Sequence, residues 1–232
     1  MRSLRVAGSA LAAVVAALVM IVVGTSPASA ATLGLTGLPT GTYTDGQNFG
    51  PWNVVFAGYG SVSATAKSMT LAPKAATSPD ATHAALVVST TEFTANKLTL
   101  TASMTTTKQL RTGSAPNAWE VGWLVWDYTD NEHFMYAIAK PNGWELGKRD
   151  PAYPGGQRFL ATGSNVKVPV GSKANYSVTR TVGANGTSTT VLKIQGVTVA
   201  KFTDTERAYT SGAVGLYTED AAIKVTTVKA NG

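Results

Sequence analysis

The sequence predicts an all-β fold, a two-sheet antiparallel β-sandwich, on three observations. Threonine is unusually common, 33 of 232 residues, and stiff β-branched side chains favour strands over helices. From Trp52 onward, short apolar and Thr-rich runs recur between Gly, Pro, Asn and Asp punctuation, the pattern of strands and turns. No segment beyond residue 30 shows a long 3.6-residue apolar period with caps, so little helix is expected.

Residues 1–30 read as an export signal. Arg2 and Arg5 give a positive start, Ala10 to Val23 is an unbroken run of small and apolar residues, and Pro27 precedes Ala28-Ser29-Ala30. That ending is the small-x-small pattern accepted by signal peptidase. A retained membrane anchor is the alternative, since Val6 to Gly24 approaches the length of a short span. The cleavage pattern and the polar chain behind it favour removal, which makes the protein secreted, with no later segment able to span a membrane. Residues 31–48 are expected to pack on the sandwich as an N-terminal extension, and 49–232 to form the sandwich itself.

The strands follow in order. Lys97 to Met104 alternates apolar and hydroxyl side chains. Trp119 to Tyr128, Glu132 to Lys140 and Gly143 to Arg149 form three successive strands, with turns at Thr129-Asp130-Asn131 and Pro141-Asn142-Gly143. Asn-Gly is a strong hairpin signal. Ala174 to Val182, Thr189 to Gln195, Val197 to Phe202, Ala213 to Thr218 and Ile223 to Lys229 complete the series. Gly-rich turns separate the first three of these. About thirteen short strands are expected in all.

Composition excludes several chemistries. The chain has no cysteine, which removes disulfides, thiolate metal sites and cysteine nucleophiles. Two histidines are too few for a three-histidine zinc site. Without residues 1–30 and their two arginines, 202 residues carry a net charge of +4. The basic residues are scattered, and Lys148-Arg149 is the longest basic run, so nucleic acid is not an expected partner. A mildly basic surface does favour anionic polymers at salt-sensitive strength.

Strand alternation then assigns faces. In Trp119 to Tyr128, the set Trp119, Val121, Trp123, Val125 and Asp127 is nearly all apolar and is expected to face the core, with Phe134, Tyr136 and Ile138 beside it. The opposite face is expected to gather Glu120, Trp126, Tyr128, His133, Glu145 and Arg149 around small residues. Aromatic rings stack on sugar C–H faces, and carboxylates and arginine hydrogen-bond sugar hydroxyls. Trp126, Tyr128, His133 and Arg149 are therefore candidate ligand-binding residues. Trp126 covered by a loop and His133 as a solvated surface residue are the plain alternatives.

The run Trp119 to Phe134 (WEVGWLVWDYTDNEHF) resembles the "G-x-x-x-x-Y-x-D-x-x-N-x-Y" hairpin of concanavalin A-like jelly rolls. It is similar in particular to secreted laminin-G-like and 3-keto-disaccharide hydrolase-like (family-16-glucanase-like) domains. Ser211 to Ala221 (SGAVGLYTEDA) is similar to their "G-x-x-G-L-x-x-x-x-A" ending, and Gln195-Gly196 stands where they carry a "D-G" hairpin. The likeness covers roughly Phe49 to Lys229. It implies two curved sheets with ligands on the concave face or its rim, in an enzyme, a sugar-binding module or an adhesion module. The acidic pair that many members carry in the last strand is absent from Ile223 to Val228, and so is the E-x-D-x-x-E glucanase motif.

Two further candidates remain. Glu120 and Glu145 lie on different strands and could form an inverting carboxylate pair, which needs about 6.5–9.5 Å between the groups. Asp127, Asp130 and Glu132 bracket a turn and could supply oxygens to a structural Ca2+, though the D-x-D-x-D-G loop is missing. The expected function is an exported protein that binds a cell-wall or environmental polysaccharide. A glycoside hydrolase using Glu120 and Glu145, and a cell-surface adhesion module, are the alternatives.

Overall fold

The computed structural model describes residues 32–232, so the export signal expected over 1–30 lies outside the described residues. Seventeen strands form there, more than the thirteen or so expected, and three of them are two- or three-residue strands before Trp52. The first six are β1 (Thr32–Leu33), β2 (Gly41–Tyr43), β3 (Asn48–Phe49), β4 (Trp52–Phe56), β5 (Ser61–Thr65) and β6 (Ser68–Ala72). Next come β7 (Ala84–Phe93), β8 (Lys97–Gln109), β9 (Gly122–Asp130), β10 (His133–Lys140), β11 (Gly143–Arg149) and β12 (Gln157–Gly163). The last five are β13 (Lys173–Val182), β14 (Ser188–Ile194), β15 (Val197–Asp204), β16 (Gly212–Glu219) and β17 (Ala221–Asn231).

The strands build two antiparallel sheets. The first runs β15-β14-β13-β8-β17-β6-β5-β2, with β1 also paired to β17; the second runs β12-β11-β10-β9-β16-β7-β4-β3. Within the extension expected over 31–48, β1 and β2 join the first sheet, and β3, which begins at Asn48, joins the second. The main core lies between the sheets. Leu98, Leu100 and Met104 of β8 meet Leu124 and Trp126 of β9, Met135 and Ala137 of β10, and Trp144 and Leu146 of β11.

This core reverses the faces expected for β9 and β10. Trp126 is completely buried between the sheets, whereas Val121, Trp123, Val125, Phe134, Tyr136 and Ile138 form a separate cluster on the open face of the second sheet. Both alternating sets in β9 are apolar, so apolarity alone does not choose the inner one. Gly122 does. A Cβ there would sit 2.5 Å from the Met104 sulfur, so the side of β9 bearing Gly122 presses against the first sheet, and glycine is needed for that approach.

A bulge then resets the parity. Asp127 has φ of 49°, and the register from Ala213↔Tyr128 to Gly215↔Val125 leaves one extra residue on β9. Such a residue bends the strand and re-aims its neighbours. Trp126 and Asp127 both point inward, and Tyr128 returns to the open face with Trp123. Inside, Arg180 of β13 donates from Nε and Nη2 to Asp127 Oδ1, at 3.2 and 3.0 Å. Arg180 also donates to the carbonyls of Ala95 and Phe93. Asp127 Oδ2 has no partner. Burial pushes the Asp127 carboxyl up to about 6, against the opposing pull of the Arg180 charge and hydrogen bonds.

Three more buried ion pairs, in two groups, stitch the rims. Lys148 of β11 donates to Asp204 Oδ2 of β15 at 2.8 Å, joining the two sheets. Arg111 lies between Glu120 (2.6 Å) and Asp220 (2.8 Å), all three buried. Breaking such a pair strands a charge in a low-dielectric interior, which costs about 3–5 kcal/mol.

Candidate functional site

The outer face of the second sheet carries an aromatic floor, most of it covered: Trp123 is 6% exposed and Tyr136 1%. Trp123 of β9, Tyr136 of β10 and Tyr217 of β16 come from adjacent strands, and the two-residue strand period brings their rings together. The Trp123 ring lies 4.9 Å from that of Tyr136 and 5.0 Å from that of Tyr217, centroid to centroid. Trp123 Nε1 is held by the Trp119 carbonyl at 2.9 Å. Gly147 of β11 stands opposite Tyr136 in register, and a Cβ there would fall 2.2 Å from the Tyr136 hydroxyl. The absent side chain is what lets Tyr136 lie across its neighbour strand.

Polar groups edge this floor. Gln157 Nε2 donates to the Tyr136 hydroxyl, and the Tyr217 hydroxyl donates to Glu219 Oε1 at 2.6 Å. Burial pushes the Glu219 carboxyl up, the Tyr217 hydrogen bond opposes it, and the nearby Asp220 and Glu120 carboxylates add to the rise. Arg149 donates to Glu132 Oε2 and to the Gly155 carbonyl, both at 3.1 Å. Together these residues enclose two adjoining hollows. One, of about 220 Å³, is lined by Trp123, Tyr136, Tyr217, Arg149, Gln157 and Glu219 among others. The second, of about 290 Å³, shares Trp123, Gln157 and Glu219 and adds Trp119, Glu145 and Phe159. Each is close to the lower size of a small-molecule cleft, about 300 Å³. At the far end Trp119 and Phe159 remain 45% and 59% exposed.

The sequence-predicted residues divide. Arg149 and Glu145 line the hollows, with Glu145 ion-paired to Lys140. Tyr128 sits on the same face, half-buried, donating to Asn131 Oδ1 at 2.9 Å. His133 stands at the β9–β10 turn beside Asp130, Nδ1 to Oδ1 2.8 Å, and lines neither hollow. Trp126 is in the core and Glu120 is buried against Arg111, so neither reaches the open face. Glu120 and Glu145 therefore do not share a groove. Asp127, Asp130 and Glu132 do not converge either, since each is held by a different partner: Arg180, His133 and Arg149. Among the described residues no group of three or more His, Asp or Glu could hold a metal ion, and these three carboxylates, turned to separate partners, do not fit a calcium site.

The floor residues Trp123, Tyr136 and Tyr217, with Gln157, Phe159 and Glu219, were not legible as site residues. The available signal was the glycine pair: Gly122 marks the inner face of β9, and Gly147 marks room left on the outer face of β11.

No family model and no curated protein matches the chain. Solved structures do. The Emp46p carbohydrate recognition domain in metal-free form superposes with a TM-score of 0.53 at 9% identity, covering 78% of this chain and 88% of that one. The VIP36 exoplasmic/lumenal domain, metal-free, gives a TM-score of 0.50 at 11% identity, covering 81% and 87%. Its Ca2+- and mannose-bound form gives 0.50 at 10% identity, covering 78% and 82%. The fold is the concanavalin A-like jelly roll. At these identities the likeness extends to the jelly-roll architecture alone, since fold does not fix the chemistry of a face.

Proposed function

We propose that the chain is an exported carbohydrate-binding jelly-roll module that holds a polysaccharide segment on the open face of its second sheet. The observation that carries this reading is the aromatic floor of Trp123, Tyr136 and Tyr217 edged by Gln157, Arg149 and Glu219. A sugar ring has an apolar C–H face and a rim of hydroxyls, so it needs a ring to lie on and donors and acceptors around it. The similar fold of the lectin domains, one solved with mannose, supports the reading. The Arg2, Arg5 and Ala28-Ser29-Ala30 pattern supports export. A glycan array tests it. Binding to at least one glycan, lost in Trp123→Ala and weakened in Arg149→Ala, is the expected result. An array with no glycan bound, or binding indifferent to both substitutions, would overturn it.

One observation favours a second reading, glycan cleavage. Glu145 and Glu219 both line the larger hollow, and burial raises the Glu219 carboxyl while Lys140 pairs with Glu145. Two carboxyls in unlike environments are how glycosidases divide acid and base roles. New reducing ends from a bound glycan, abolished by Glu219→Gln with binding retained, would establish cleavage. Bound glycan recovered intact would reject it.

A further inference from the structure

The first sheet gathers onto its outer face lysines that lie far apart in sequence. Lys97 of β8, Lys173 of β13, Lys193 of β14, Lys201 of β15, and Lys224 and Lys229 of β17 are all exposed. Among the described residues none of the six makes an ion pair. Register sets their spacing. Lys173 and Lys224 lie on either side of Thr105, two strand intervals apart, which is about 10 Å. Lys229 pairs with Thr101, Thr101 with Ser177, and Ser177 with Lys193, placing those two lysines about 14 Å apart. A register shift between Val225 and Thr227 returns Lys229 to the face of Lys224.

The ground between the lysines is hydroxyl-bearing: Thr99, Thr101, Ser103 and Thr105 on β8, with Ser177 and Thr179 opposite. Asp204 is the one acidic residue on the strands of this sheet, and it is buried against Lys148. The aromatic residues of these strands, Tyr43, Tyr176 and Phe202, pack on the core. A single-stranded nucleic acid would need aromatic platforms for its bases, and this face offers none. Spaced cations in a field of hydroxyls, with no opposing carboxylate, complement a linear polyanion whose own hydroxyls can hydrogen-bond between its charges.

We propose that the outer face of the first sheet is a second binding surface, for an anionic polysaccharide. It lies on the opposite sheet from the aromatic floor and does not depend on that floor holding a sugar. The attachment is electrostatic and spread over several lysines, so affinity falls as salt rises.

The test uses the full chain with dextran sulfate as probe and uncharged dextran of equal length as control. Two charge-matched variants are compared, Lys224→Gln/Lys229→Gln on the face and Lys74→Gln/Lys167→Gln away from these strands. Dextran sulfate should bind while dextran does not. The face variant should weaken binding about tenfold or more at low salt, and lower the slope of log affinity against log salt by about two. The control variant should change affinity less than about twofold, as expected for charges that make no contact. Equal losses in both variants would mean that net charge alone is sensed, and would overturn the proposal. Tighter binding to duplex DNA or to phosphatidylglycerol vesicles than to dextran sulfate would also overturn it.

Discussion

The indole of Trp123 packs on the phenol of Tyr136 with ring centroids 4.9 Å apart and planes tilted 37°. The pair stands on the side of the second sheet that faces away from the core, and it forms the middle of the proposed glycan floor. Trp123→Ala removes the ring on which a sugar would stack. Glycan binding should weaken by about 1–3 kcal/mol, by analogy with other aromatic stacking surfaces. Stability should fall as well, by about 3–5 kcal/mol, because the ring is only 6% exposed and its removal leaves a cavity in the cluster around Val125, Phe134 and Tyr136. Paired calorimetric titration and thermal melting check both numbers.

Trp126, three residues on, separates stability from binding. It is completely buried between the sheets, and Trp126→Ala should cost about 3–5 kcal/mol through the cavity left behind. A urea melt measures the loss. Glycan affinity of the fraction still folded should be unchanged.

Gly147 offers a sharper probe of the floor. Gly147→Ala puts a methyl group 2.2 Å from the present position of the Tyr136 hydroxyl. The Tyr136 ring must swing away, releasing Gln157 and tilting against Trp123. Overpacking of this kind costs about 1–3 kcal/mol. Glycan affinity should drop while the far-ultraviolet circular dichroism stays that of the parent protein.

The Asp127–Arg180 pair fixes a pH dependence. Burial raises the folded-state Asp127 carboxyl from 3.8 to about 6. Between those values the folded protein binds more protons at this group than the unfolded chain does. Its contribution to stability is therefore present below about pH 4 and is lost as pH rises through about 6. The local slope is negative, up to about 1.4 kcal/mol per pH unit. In the double variant Asp127→Asn/Arg180→Gln, stability measured from pH 4 to 6.5 should rise more steeply with pH than in the parent. An unchanged slope would show that Asp127 does not titrate there.

Sheet architecture was readable in the sequence because it rests on local signals. The Asn142-Gly143 turn joins β10 to β11, and the Gln195-Gly196 turn joins β14 to β15, where expected. The orientation of β9 was not readable, for a physical reason. Within β9 the alternating sets Trp123-Val125 and Leu124-Trp126 are both apolar, and Glu120, which set the two faces apart in the sequence, lies before the strand begins. Only the contact of Gly122 with Met104 across the sandwich separates the two sides, and that contact joins residues far apart in the chain. The bulge at Asp127 depends likewise on Arg180, 53 residues away. Glu145 and Arg149 lie on the open face, as expected, because β11 has one strongly apolar side, Trp144 and Leu146. Glu219 carries no such signal, since it stands beside a second carboxylate, Asp220. That adjacency sends one carboxylate inward to Arg111 and the other out to the floor.

The five tryptophans permit the most direct test of the glycan floor. Their indole N–H signals are titrated by nuclear magnetic resonance with a glycan found on the array. Trp119 and Trp123 line the hollows, whereas Trp52 and Trp126 are completely buried between the sheets. The Trp123 and Trp119 signals should move together along one saturable curve, while those of Trp52 and Trp126 stay fixed. Saturable binding that leaves Trp119 and Trp123 unmoved would contradict the account, because the sugar would then lie somewhere other than this face.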